Sequence, residues 1–270
     1  MIRRPAVAGS FYPDDAAILR RTVAELAPTA VIADTAAVEA APKALIVPHA
    51  GWIYSGAVAG AAYARLRPHA ATIRRVVLLG PVHRVPVRGL ALPDAAGFAT
   101  PLGEVRIDAP SIRALAGLRQ VVVRGDAHAS EHSLEVQLPF LQTILDDFTL
   151  VPLAVGDATP AQVGEVLETL WGGPETLIVV SSDLSHYLPY AEAERKDRDT
   201  VERILRRDQL TGFDQACGAL PIDGLLLAAR RHGLTARLVA RCNSGDTAGD
   251  RRRVVGYASV EFVEPRSPAP

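Results

Sequence analysis

Three short runs in this chain are apolar throughout and rich in β-branched residues. They are Ala44 to Val47 before Pro48 and His49, Val76 to Leu79 before Gly80, Pro81 and His83, and Leu177 to Val180 before Asp183 and His186. A strand with no polar alternation needs cover on both faces, as the buried strands of a parallel sheet do. In open α/β sheets the crevice outside the carboxyl ends of the strands is where ligands bind. Each run therefore delivers a titratable residue to one rim, and that repetition predicts both the fold class and the location of the site.

The intervening segments fit crossovers. A helical pattern opens at Asp14 and Asp15, runs through Ile18, Leu19, Val23 and Leu26, and ends at Pro28. Small residues dominate Ser55 to Leu66, suiting a helix packed closely on the sheet. Residues 90 to 108, rich in turn formers, read as an excursion or hairpin; Gln120 to Arg124 reads as a strand. A helix is predicted to begin near Ser130, with Leu134, Leu138, Leu141 and Leu145 on one side, and others to span Ala191 to Arg206 and Ile222 to His232. A strand ending in Gly156 and Asp157 and a closing strand from Val254 complete an α/β chain with a mainly parallel central sheet covered on both faces.

The 270 residues contain no evident linker, so residues 1–270 are expected to form one domain, with a loop over Ala27 to Pro42 and a frayed tail over 265–270. Lys and Arg number 29 against 30 Asp and Glu, a net charge of -1, which gives no reason to expect nucleic acid or a membrane surface as partner. The N-terminus lacks a signal-peptide core and no segment approaches ~18 consecutive apolar residues, so a cytoplasmic location is expected. Cys217 and Cys242 are the only cysteines and read as reduced thiols.

The rim candidates are His49, His83, His186 with Asp183, and Asp246 in the Gly-flanked loop after Cys242. Two neutral imidazoles and a carboxylate make an open-faced site for Fe(II), or for Zn(II) with water, and His49, His83 and Asp246 are that set. The competing reading of any one loop histidine is an ordinary polar surface group. Glu131 and His132 fit helix N-terminal capping or a place against the site. His69 and His232 read as structural or surface residues, and Cys242, four residues before Asp246, as a buried bystander, with a thiolate ligand or nucleophile as its alternative. No Walker spacing and no Gly-rich fingerprint stand between a strand and a helix, which argues against nucleotide binding.

The segments PAVAGSFYP, VPHAGWIYSG, LLGPVH, FATPLGEVRID, EHSLEVQLPFLQ, VVSSDLSHY and CNSGDTAGD followed by VVGYAS occur in order from Pro5 to Phe262. In that order they resemble the motifs of the Memo-like proteins, also called AmmeMemoRadiSam system protein B. The resemblance implies a single three-layer αβα fold similar to class III extradiol dioxygenases, whose relatives hold non-heme Fe(II) with two histidines and a carboxylate. It implies His49, His83 and Asp246 as metal ligands and His186 as the catalytic acid/base, with Asp183 and His132 beside it. The animal relatives carry Cys where Asp246 falls, so this chain is expected to favour iron more and copper less.

The function expected is a Memo-like metalloprotein with Fe(II), performing redox or dioxygenase-like chemistry on a small substrate; Cu and Zn are the alternative metals. One rival reading is a non-catalytic adaptor binding metal or a peptide through an aromatic-lined groove of Tyr12, Trp52, Tyr54 and Tyr187. Another is a zinc-dependent hydrolase. The family association with AMMECR-like and radical-SAM proteins implies a shared pathway.

Overall fold

The computed structural model describes residues 1–28 and 41–264; the expected Ala27 to Pro42 loop and the 265–270 tail lie largely or wholly outside the described residues. The three apolar runs form β2 (Ala44–Val47), β3 (Arg75–Pro81) and β9 (Thr176–Ser181), and the strand expected before Gly156 forms β8 (Thr149–Val155). They lie side by side in the order β2, β9, β3, β8, all parallel, with Val47 opposite Ser181.

Antiparallel strands extend this block on both sides. β12 (Val254–Val263) pairs with β2 and carries β10 (His186–Leu188) and β11 (Thr235–Asn243); β4 (Leu90–Leu92) pairs with β8 and carries β7 (Val121–Val123). The rest of the 90–108 excursion leaves the main sheet. β5 (Gly97–Thr100) and β6 (Gly103–Arg106) form a hairpin that joins β1 (Ile2–Arg3) in a separate three-stranded sheet.

Strand side chains alternate between two cores. Leu45, Val47, Leu78 and Val179 pack with Leu19 and Val23 of α1 (Ala16–Leu26), Tyr63 of α2 (Trp52–Ala64) and Phe140. Ala44, Ile46, Leu79 and Val180 face the other way. There they meet Val163 and Val166 of α6 (Pro160–Leu170), Val201 of α7 (Tyr190–Arg206) and Ile222 of α8 (Ala219–Arg231). Burial on both sides explains the absence of polar alternation, and the result is the three-layer αβα arrangement.

α1 is capped by Asp15, whose side chain accepts the N–H groups of Ala17 and Ile18. The small residues of α2 also serve α1: a Cβ at Gly60 would stand 2.2 Å from the Leu26 carbonyl oxygen. Among the described residues no helix is long and apolar enough to cross a membrane.

The helix expected from Ser130 differs. A short helix α4 (Gly125–Ala129) precedes Ser130, and helix resumes only after a 3₁₀ turn (Glu135–Gln137), as α5 (Leu138–Ile144). The intervening N–H groups of His132 and Ser133 are taken by the Glu131 carboxylate at 2.9 Å each, which replaces the carbonyl partners a continuous helix would supply. Leu134, Leu138, Leu141 and Leu145 are nonetheless all buried.

Candidate metal centre

Because β2, β9 and β3 are adjacent and parallel, the residues that follow them emerge together. His49, Asp183 and His83 reach one rim, and the irregular turn before α5 adds His132 from the side. The ring centroids of His49 and His83 are 5.2 Å apart, those of His49 and His132 5.4 Å, and those of His83 and His132 4.7 Å. One ring nitrogen from each lies within 4.8 Å of the others.

Hydrogen bonds fix which nitrogen His49 and His83 offer, and the Glu131 carboxylate faces Nδ1 of His132. Ser181 Oγ donates its only proton to the Ser133 carbonyl at 2.6 Å and accepts from Gln137 Nε2 at 2.8 Å. His49 Nδ1, 3.0 Å from that oxygen, must therefore be the donor, leaving Nε2 with its lone pair. His83 Nδ1 donates to Glu131 Oε1 at 2.8 Å, and His132 Nδ1 lies 3.3 Å from the same oxygen. A carboxylate that orients the far side of a ligating imidazole is a recurrent support of metal sites.

Charge is set by burial. Desolvation lowers His49 to about 3 and His132 to about 4, so both rings are neutral at pH 7 and available as donors. Burial alone would raise Glu131, but the hydrogen bond and charge of His83 and the surrounding N–H groups outweigh it and bring it to about 2. Burial raises Asp183, which accepts the backbone N–H groups of His49 at 2.7 Å and Ala50 at 3.3 Å through Oδ1. Asp183 thereby holds the turn that presents His49.

His186 lines the cleft and donates Nδ1–H to the Leu184 carbonyl at 2.9 Å; among the described residues its Nε2 has no hydrogen-bond partner. The cleft, of about 710 Å³, is lined by all four of these histidines and by Asp183, Phe11, Tyr54 and Tyr187. Phe11 packs on the His132 ring at 4.8 Å. Its neighbour Tyr12 is buried with its hydroxyl on Glu135 at 2.7 Å, so the N-terminal aromatic pair serves both the rim and the core. Of the four aromatics expected in a groove, Tyr54 and Tyr187 line this cleft, and Tyr12 and Trp52, though largely buried, line with Tyr54 and Phe11 an adjoining groove.

The expected third ligand, Asp246, does not join His49 and His83. It sits in a 3₁₀ turn (Ser244–Asp246) after β11, where Oδ2 accepts the Asn243 N–H at 3.1 Å and Oδ1 accepts the Tyr190 hydroxyl at 2.6 Å. Each oxygen thus already accepts one hydrogen bond, and Asp246 does not line the cleft. Cys242 lies within β11, paired with Tyr257. His132 occupies the third donor position around the cluster, so the donor set assembled is three imidazoles.

Residue reading missed Glu131 as the support for two rings, and it missed Cys217. The Cys217 thiol lies 3.3 Å from His49 Nε2, and burial pushes it up to about 12. No spacing signal marks it. The Ser pair of VVSSD was the available hint for Ser181.

Fold and cluster together define an α/β protein with a histidine site, able to hold a metal ion, at the carboxyl ends of the parallel strands at the centre of a mixed sheet. The profile of the Memo-like protein family matches residues 3–261. The chain is 37% identical to a MEMO1 family protein of Ignicoccus hospitalis, over 98% of this chain and 100% of that protein. It is 33% identical to a MEMO1 family protein of Metallosphaera sedula over the same shares. This chain belongs to the Memo-like family. Among solved structures, the uncharacterized protein JW3007 of Escherichia coli K12 is similar with a TM-score of 0.52 at 15% identity, covering 81% of this chain and 98% of that one, a likeness of fold.

Proposed function

We propose that this protein is a metalloenzyme in which His49, His83 and His132 hold one divalent first-row ion, Fe(II) in the reading we favour. The chemistry proposed is redox or dioxygenase-like, on a small substrate bound in the cleft. The observation that carries the proposal is the convergence of three imidazoles whose Nδ1 atoms are each turned to an oxygen, with one ring nitrogen from each within 4.8 Å of the others. Neutral imidazole suits Fe, Cu and Zn alike, so the donor set fits the ion without selecting it. Iron is favoured on the resemblance to class III extradiol dioxygenases. When bound, such an ion supplies the electron-transfer and oxygen chemistry that side chains lack.

The chain's own part is to bind, orient and move protons. His186, held by the Leu184 carbonyl, presents a proton-accepting Nε2 to the cleft, the geometry of a general base. Asp183 keeps His49 in place through the backbone. Phe11 and Tyr54 wall one side of the cleft.

An all-imidazole set also favours a second reading. Three histidines with an open fourth position are a catalytic zinc donor set, and a zinc ion held by His49, His83 and His132 would supply Lewis-acid hydrolytic chemistry. Anaerobic Fe(II) titration followed by nitric oxide and electron paramagnetic resonance separates the two. A one-to-one high-spin iron-nitrosyl signal supports the iron reading. Absence of that signal, with one tightly held zinc and oxygen-insensitive esterase activity, supports the hydrolase.

A further inference from the structure

Two arginines, Arg84 and Arg253, line the same cleft as the histidine cluster. Arg84 follows His83 directly, and Arg253 stands just before β12, on the side of the cleft that carries His186. The surface arginines nearby are spent on carboxylates: Arg251 lies 3.8 Å from Asp246, and Arg252 holds Asp250 through its side chain at 2.5 Å and its backbone N–H at 2.9 Å. Among the described residues Arg84 and Arg253 meet no carboxylate.

The acidic groups of the cleft do not offset them. Asp250 is engaged by Arg252, and Asp183 is buried under two backbone N–H groups. His49 and His132 are neutral at pH 7. Two guanidinium groups without a carboxylate partner among the described residues thus share this cleft.

Arg253 is also held in position. Its guanidinium lies over the Tyr187 ring at 5.1 Å, and the Tyr187 ring meets the His186 ring edge-on at 5.7 Å. Tyr187 has φ of +60°, a left-handed conformation that a tyrosine adopts only at a cost in strain. That backbone places the aromatic plate between the catalytic imidazole and the cation. An anion on Arg253 would therefore be anchored one residue from the group proposed to move the proton.

We propose that the substrate of this site is a small molecule bearing a carboxylate or phosphate, which Arg84 and Arg253 bind so that its reacting end faces His186 and the histidine cluster. The inference rests on the cleft being the active site. The guanidinium fork suits either anion, since both accept paired N–H donors.

The test uses the full chain with benzoate, phenyl phosphate and neutral benzamide as probes, each titrated by ligand-observed NMR against wild type, Arg84→Gln, Arg253→Gln, the double variant and Arg251→Gln. Tighter binding of benzoate or of phenyl phosphate than benzamide, by about tenfold, is expected, and the stronger of the two identifies the anion. Each cleft variant should reduce that preference and the double variant abolish it, while Arg251→Gln keeps it. Equal binding of all three probes, or a preference that survives in the double variant, overturns the proposal. Both arginines are exposed, so a folding defect is not expected; unchanged melting temperatures verify it. Repeating the titration on His49→Ala separates the two readings. Retained preference with lost metal leaves the anion site standing; metal bound one-to-one in wild type without any preference removes the anion site alone.

Discussion

Glu131 Oε1 accepts a 2.8 Å hydrogen bond from His83 Nδ1, and through it a residue outside the cleft lining governs the orientation of a ring inside it. Its other oxygen takes the backbone N–H of His83 at 2.6 Å. Losing one carboxylate therefore loosens both the ring and its backbone, and it frees His132 as well.

Glu131→Gln should weaken metal binding by about 10- to 100-fold while leaving the three imidazoles in place. Competition against a fluorescent chelator reads the affinity directly. Affinity equal to wild type would remove Glu131 from any supporting role.

His128 is buried outside the cluster, with Nε2 on the Ala91 carbonyl at 2.9 Å and, among the described residues, no partner for Nδ1. Burial brings it down to about 4, so between pH 6.5 and 4 the unfolded chain binds its proton and the folded one does not. Stability then falls as pH falls through that window, and His49 and His132 push the same way in metal-free protein. Between pH 7 and 5 wild type should lose about 2 kcal/mol more than His128→Gln in urea unfolding. Parallel pH dependences would contradict this assignment.

Burial pushes Cys217 up to about 12 and Cys242 up to about 11. Neither thiol is ionised at pH 8, so neither should react with iodoacetamide in the folded protein, and both should react on denaturation. Mass spectrometry of alkylated peptides counts them. Rapid labelling of Cys217 in the native state would mean an accessible thiolate beside His49.

Glu135 is fully buried and accepts from the Arg3 guanidinium, from the backbone of Ala6 at 2.7 Å and Val7 at 3.0 Å, and from the Tyr12 hydroxyl. It fastens the N-terminal segment that carries Phe11 to the cleft. Glu135→Ala strands a buried arginine and should cost about 3–5 kcal/mol of unfolding free energy. A loss under 1 kcal/mol would show that the segment is held by apolar packing alone.

The parallel core was legible because burial on both faces leaves an unmistakable apolar run, and the rim rule then placed His49, His83, Asp183 and His186. The third donor was not legible. Asp246 looks like a rim carboxylate in one dimension; its bond to the Tyr190 hydroxyl depends on where α7 begins, which spacing does not encode. His132 enters through a turn that exists because Glu131 captures N–H groups that a helix would have used, so a periodic reading of Leu134 to Leu145 predicts helix where the site needs a bend. Cys217 and Arg253 reach the site from segments without a motif.

The choice between His132 and Asp246 is the sharpest test of the account. Metal content should be measured by mass spectrometry after Fe(II) or Zn(II) loading of wild type, His132→Ala and Asp246→Asn. One ion per chain in wild type and Asp246→Asn, with little or none in His132→Ala, is the predicted result. Full occupancy in His132→Ala together with loss in Asp246→Asn would contradict the three-histidine centre and restore the carboxylate.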